Sequence, residues 1–325
     1  GKDAGTYAIT LGTLALKDGA NFLAKNYTLV LDKTTVNFTI DPKILHNTDL
    51  EPLGSTVTKV YDGTTKVNEL NVVVDSMAAG DAEIKVTGTA VYNSANVADA
   101  KSVIFTPDAI TTGNYRLAAT EKLEVSGELS VAITPATITV TPDAGQTKIY
   151  GEKDNLTYTY TGAISGETPL FTGALGREAG ENVGSYVINK GTLALMDNSD
   201  GKFSAGNYTL EVSNTPVNFV INRAIPEIKV EDKTLVKNGV AVDISTWASF
   251  NNTDTDAKLV YTLVGAPAGI SLTEDNLLKA ENADTTAESF KIKVTADATT
   301  NFTAPEEKQF TVQVVEKVDA GVKID

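Results

Sequence analysis

The chain repeats itself, and this constrains its fold more than any other feature. Residues 24–40 read AKNYTLVLDKTTVNFTI, and residues 205–221 read AGNYTLEVSNTPVNFVI. Upstream, residues 1–16, GKDAGTYAITLGTLAL, align with residues 180–195, GENVGSYVINKGTLAL. Agreement over roughly forty residues marks two copies of one structural unit. The first copy starts partway through that unit, so Gly1 is expected to lie in mid-domain, with the opening strands lacking. A fainter copy lies between the two. TTGNYRL (111–117) matches SAGNYTL (204–210), SVAITPA (130–136) matches NFVINRA (218–224), and TKVYDGTT (58–65) resembles TKIYGEKD (147–154). The unit therefore recurs about every ninety residues. The expected modules are residues 1–42, 43–134, 135–224 and 225–317, with a tail at 318–325. Joints of one or two residues with Pro42 and Pro135 at or beside them imply limited bending.

Inside the repeats the pattern is that of strands. In LTYTYT, Leu156, Tyr158 and Tyr160 share one face and Thr157, Thr159 and Thr161 the other, which is the period of a half-buried strand. Val217, Phe219 and Ile221 alternate in the same way, as do Val36, Phe38 and Ile40. Turn sequences such as PDAG, SNTP and DNSDG separate such runs, and no stretch of eleven residues carries an apolar helical spacing. The expected fold is all-β: a tandem array of small antiparallel β-sandwich-like (Ig-like) modules, the first one truncated. Both trios should point into equivalent cores. Because the first module lacks its opposing strands, Val36, Phe38 and Ile40 should be covered from outside it. The candidates are residues 44–60, a neighbouring copy of the chain, or a donated strand from the tail at 318–325.

Composition removes several function classes. A net charge of −15 opposes binding to nucleic acid or to an anionic membrane surface. No apolar run is long enough to insert into a bilayer. The absence of cysteine excludes disulfides, zinc–thiolate sites and thiol catalysis. His46 is the only histidine, so multi-histidine metal sites are excluded, and no G-x-S-x-G motif accompanies it. No phosphate-cradling glycine loop opens a helix. Trp247 could stack on a sugar ring, but it reads more simply as a core residue. The repeated tyrosines Tyr7, Tyr27, Tyr61, Tyr150, Tyr186 and Tyr208 read as packing residues. Asn26-Tyr-Thr, Asn37-Phe-Thr, Asn155-Leu-Thr and Asn207-Tyr-Thr match the glycosylation pattern, which arises by chance in a threonine-rich chain. The metal candidate is calcium at Asp254 and Asp256, an Asp-x-Asp pair on an acidic loop near the last joint, with residues 197–201 as a second acidic turn.

The stretch KIYGE…LTYTYTG…NVGSYVINKGTLAL…NYTLEV, residues 148–212, resembles the MBG repeats of bacterial surface proteins. TKVYDGTTKV, residues 58–67, resembles the opening of the YDG repeats that accompany them in large adhesins. Residues 225–317 are similar, more loosely, to cadherin-like or immunoglobulin-like bacterial modules. The resemblance implies a non-catalytic stalk or adhesive segment of a secreted protein at the bacterial cell surface, and it carries over no catalytic residues. The implied partners are a host, matrix or carbohydrate ligand, together with self-association through the incomplete first module. The alternative is a set of accessory modules, carbohydrate-binding among them, in a larger extracellular enzyme.

Overall fold

A computed structural model describes residues 2–110, 113–118, 122–125, 129–281 and 289–316. The tail at 318–325 lies outside the described residues. The only helices among the described residues are three 3-10 turns, Ala24–Asn26, Asn47–Asp49 and Ala205–Asn207; everything else regular is strand. Two compact units divide the chain. One comprises Gly1–Ile138, Gly162–Leu170 and Leu195–Leu210, and the other Thr139–Thr161, Phe171–Ala194 and Glu211–Asp325.

In the first unit, Gly5–Ala8 pairs antiparallel with Asn37–Ile40, and among the described residues with no other strand. Beyond Pro42 the chain builds a full sandwich. Leu50–Leu53, Asn71–Val74 and Lys85–Val86 form one antiparallel sheet, and Gly88–Tyr92, Val103–Pro107 and Leu123–Val125 form another. The apolar alternation of these strands places Leu45, Leu50, Val72, Val74, Val86, Phe105 and Tyr115 in one core. Two pairs are parallel: Lys43–Leu45 with Tyr115–Leu117, and Thr56–Val60 with Ser130–Thr134.

In the second unit, Asn218–Asn222 lies between Gly184–Asn189, antiparallel, and Thr147–Ile149, parallel. Further along, Lys233–Val236, Lys308–Val315, Ser289–Thr295 and Val260–Val264 form a four-stranded sheet. It faces a three-stranded sheet built from Val242–Asp243, Leu277–Ala280 and Ile270–Leu272. Leu235, Ile244, Leu278, Phe290, Ile292, Phe310 and Val312 fill the space between them. Here too an early strand, Lys233–Val236, runs parallel to the closing strand, Lys308–Val315.

Nothing in the repeats announces the parallel pair, which recurs at Thr56–Val60, Thr147–Ile149 and Lys233–Val236. A closing strand parallel to an early one carries the chain out in the sense in which it came in. A following sandwich can then start after a very short joint: between Ser130–Thr134 and the next strand, Ala136–Pro142, only Pro135 intervenes.

The expected equivalence of the two apolar trios holds for pairing but not for burial. Tyr7 faces Phe38 just as Tyr186 faces Phe219, and Gly5 faces Ile40 as Gly184 faces Ile221. Phe219 and Ile221 are buried and Val217 is half-buried, whereas Val36 and Phe38 are 56% and 59% exposed and Ile40 is half-buried. The expected cover from residues 44–60 does not form. Lys43–Leu45 turns instead to Tyr115–Leu117, leaving Ile44 exposed as well. A test follows from this contrast. Phe219→Ala should destabilise its surroundings by about 3–5 kcal/mol, as truncation of a buried aromatic does. Phe38→Ala should stay within about 0.5 kcal/mol, as surface changes do. Denaturant-dependent amide exchange at residues 184–222 and 5–40 reads the two effects separately.

Candidate functional site: the joints between repeats

The polar side chains that the fold brings together most consistently are asparagines at the joints. The Asn-aromatic dipeptide of the repeat occurs as Asn114-Tyr115, Asn207-Tyr208 and Asn301-Phe302. Each asparagine reaches a dipeptide 110 to 119 residues earlier in the chain. Asn207 Oδ1 accepts from the Val97 N–H at 2.9 Å, and its Nδ2 donates to Asn96 Oδ1 at 3.1 Å. Asn301 repeats this at Val183 N (2.9 Å) and Asn182 Oδ1 (3.1 Å). Asn114 does the same at Ala4 N (2.7 Å) and Asp3 Oδ1 (3.0 Å). A carboxamide suits this role because it accepts and donates at once. Asn207 and Asn301 are buried, so unmade bonds here would carry a desolvation cost.

The aromatic residue after the asparagine completes two of these joints, whereas Tyr115 packs into the core beside it. Tyr208 meets Tyr61 edge-on at 5.3 Å, and Phe302 meets Tyr150 edge-on at 5.3 Å. Tyr61 and Tyr150 are the tyrosines of TKVYDG and TKIYGE, so two repeated motifs touch at the Asn207 and Asn301 joints. At the first of these, both phenols donate to one carboxylate: Tyr61 Oη to Glu167 Oε1 at 2.6 Å, and Tyr208 Oη to Glu167 Oε2 at 2.8 Å. Burial, and then the bond to Glu167, push the Tyr208 phenol up to about 12, against an opposing N–H bond from Ile164. Tyr61 is raised for the same first reason, burial, and by the same carboxylate.

At the last joint, Asp254 holds the asparagine. Its Oδ1 accepts from Asn301 Nδ2 at 2.8 Å, and its Oδ2 from Thr299 Oγ1 at 2.6 Å and Asn301 N at 2.8 Å. The Thr299 bond, opposed by burial and reinforced by Asn301, keeps this carboxyl below its usual pKa. Asp254 thus does sit at the joint, as the loop sequence suggested, with its oxygens engaged by protein donors. Asp256 is not drawn into that cluster, and no group of three His, Cys, Asp or Glu side chains among the described residues could hold a metal. Behind the same joint lies a ring of four charges. Lys148 contacts Asp154 and Glu181 at 2.7 Å each, and Arg177 contacts the same two carboxylates at 2.8 and 2.7 Å. The Arg177 guanidinium also lies 4.8 Å from the Tyr186 ring. These contacts anchor the turn that presents Asn182, whose carbonyl accepts from Tyr186 Oη at 2.7 Å. The first repeat shows the same bond, from Tyr7 Oη to the Asp3 carbonyl.

The remaining candidates are structural. His46 is exposed and opens the Asn47–Asp49 turn, its N–H donating to Asp49. Trp247 packs against the last core, edge-on to Phe310. Asp197 accepts from Ala205 N and so shapes the turn that carries Asn207. Asn207, met in the sequence as a glycosylation match, is the clasp residue. The signal that could have revealed it is the pairing of each Asn-aromatic with an Asx-aliphatic dipeptide one repeat earlier.

Two outcomes test the joints. Asp254→Ala should lower stability by about 1–3 kcal/mol, because donors on Asn301 and Thr299 lose their acceptor. That loss should appear in chelator; a melting temperature that rises with millimolar calcium would instead assign Asp254 and Asp256 to a cation. The second outcome is pH-dependent. A phenol whose folded pKa is raised contributes stability that is whole below its unfolded value of 10.0 and vanishes as pH climbs through about 12. Tyr208→Phe should therefore flatten the alkaline fall in stability between those values, followed by unfolding at stepped pH.

Comparison with known proteins agrees with the two resemblances. Residues 138–216 match the family model of the MBG domain (YGX type), and residues 47–122 match that of the YDG domain. No curated protein matches the chain. Among solved structures, it is similar to human mucin-like protocadherin EC1-2, at 15% identity and a TM-score of 0.26, covering 55% of this chain and 98% of that one. It is also similar to mouse cadherin-23 EC22-24, at 13% identity and a TM-score of 0.27, covering 83% and 99%. A third is Drosophila N-cadherin EC1-3, at 11% identity and a TM-score of 0.25, covering 84% and 97%. Two separate stretches of the chain thus match two different domain families, and the likeness to the solved structures is one of fold.

Proposed function

We propose that the chain is a spacing segment of a secreted bacterial surface protein, without catalysis of its own, that holds an adhesive region at a set distance. Its modules are taken as residues 1–42, 43–134, 135–224 and 225–317. The observation that carries this reading is the recurrence of one carboxamide clasp at three successive joints. A binding or catalytic role would place its repeated polar residues in a cleft, whereas here they are spent between neighbours. Joints of this kind resist bending, because swinging one sandwich away breaks two hydrogen bonds and separates an aromatic pair. Among the described residues, no helix is long and apolar enough to cross a membrane.

The absence of cysteine makes the test simple. Spin labels on Lys101→Cys and Lys202→Cys, both exposed positions in the first unit, span the Asn207 joint. A narrow distance distribution is expected, broadening when Asn207 is replaced by Ala. If the unsubstituted joint already gives a broad distribution, it is a hinge and the spacing reading fails.

A further inference from the structure

Three of the parallel strand pairs end alike. Thr56–Val60 runs with Ser130–Thr134, Thr147–Ile149 with Asn218–Asn222, and Lys233–Val236 with Lys308–Val315. Just past each early strand, one more N–H reaches the later strand. Tyr61 N donates to the Thr134 carbonyl at 2.8 Å, Tyr150 N to that of Asn222 at 2.8 Å, and Lys237 N to that of Val315 at 2.9 Å. The opposite ends of the first two pairs are closed as well. Ser130 N donates to the Ser55 carbonyl at 2.9 Å, and Val220 N to that of Gln146 at 3.0 Å.

The direction of these pairs decides how they meet a pull. In a parallel pair, the start of one strand and the finish of the other lie at opposite ends. Tension that enters before the early strand and leaves after the later one therefore slides the two past each other. Every cross-strand bond then carries part of the load, and all must fail nearly together. Strands pulled apart from one end would instead lose their bonds one at a time. The inner faces of the pairs are closed to competing water: Val57, Lys59 and Ile133 are buried in the first, and Lys148 and Ile221 in the second. Slippage is opposed too. The Lys59 ammonium lies 5.5 Å from the Tyr92 ring, and that of Lys148 lies 2.7 Å from Glu181. Sliding either early strand would drag a nearly sealed cation from a partner on another segment. Ser130–Thr134 has no other strand neighbour among the described residues, so its main-chain hold on the sandwich is this pair.

We propose that these parallel pairs are shear clamps, and that the sandwiches bear tension along the chain without unfolding. The role goes beyond spacing, because it concerns load rather than bending and would stand even if the joints were hinges. Resistance of this kind is set by the unfolding rate and not by equilibrium stability, so a sandwich of ordinary stability can possess it.

The lack of cysteine lets pulling handles be placed on the intact chain at chosen residues. Ser55→Cys with Thr134→Cys loads the first pair in shear, whereas Thr65→Cys with Thr134→Cys opens the same pair from one end. For the second pair, Ala144→Cys with Arg223→Cys gives shear, and Lys153→Cys with Arg223→Cys gives opening. Every one of these positions is exposed. In an optical trap at one pulling speed, shear should require at least about twice the force of opening in both sandwiches. Two sandwiches are pulled so that a handle which disturbs the folding of one leaves the other to decide. Equal forces in the two directions in either folded sandwich overturn the proposal, as does a lower force in shear.

Discussion

A neutral carboxamide that accepts one hydrogen bond and donates another is the contact on which the arrangement of repeats depends. Its target is a backbone N–H with a side-chain oxygen one residue earlier, so the reading is two-pointed and directional. Aspartate in the clasp position could accept but not donate. Glutamine carries an extra methylene that would push the amide past its partners. In the joints built on Asn207 and Asn301 the Asx partner is also an asparagine, so neither half is charged. In a chain of net charge −15, joints built from ion pairs would weaken with salt and with titration. The amide–amide bond itself does neither, although ionisable neighbours such as Glu167 and Asp254 support it.

The clasp works only because other features aim it. The 3-10 turn, capped by Asp197 at Ala205–Asn207, projects the asparagine from the end of its sandwich. At the separate joint built on Asn301, Tyr186 pins the carbonyl of the receiving Asn182 while Lys148, Arg177, Asp154 and Glu181 brace the turn behind it. Lys148 and Arg177 are nearly sealed from solvent, and their ammonium and guanidinium groups find two carboxylates each. Removing either carboxylate would leave two nearly sealed cations sharing the other. The ring serves to hold position rather than to add stability.

How much of this could be read beforehand depends on the range of each interaction. Strand identity was legible because it is local: the alternation of Val217, Phe219 and Ile221 names the buried face without reference to anything distant. The parallel edge pair was not legible, since Thr147–Ile149 and Asn218–Asn222 carry the same local signals whichever way they run. The clasp was invisible for a related reason. Asn207 and Val97 lie far apart in the chain, and an Asn-Tyr-Thr triplet satisfies a common modification pattern that distracts from burial. The acidic loop marked the right place, and Asp254 does stand at the last joint, but spacing alone cannot separate a carboxylate that awaits a cation from one already holding Thr299 and Asn301. The exposure of Phe38 was the opposite case. Local pattern called for a core residue, and only the lack of opposing strands decides against it.

A repeat that carries the reading asparagine at one end and the Asx-aliphatic dipeptide at the other makes a heterologous contact, in which different surfaces meet at every joint. Such contacts can repeat from one neighbour to the next. That property explains why two different repeat families can follow each other in one chain. The YDG-type repeat offers Asn96-Val97 and the MBG-type repeat offers Asn182-Val183, and each is read by an asparagine with an aromatic neighbour although the sandwiches differ. The same joint chemistry is thus carried by cores of different sequence. The last sandwich shows how far this goes: it departs from the others in nearly all of its sequence, yet it keeps Asn301, an aromatic at Phe302, and the Lys233–Val236 edge on its closing strand.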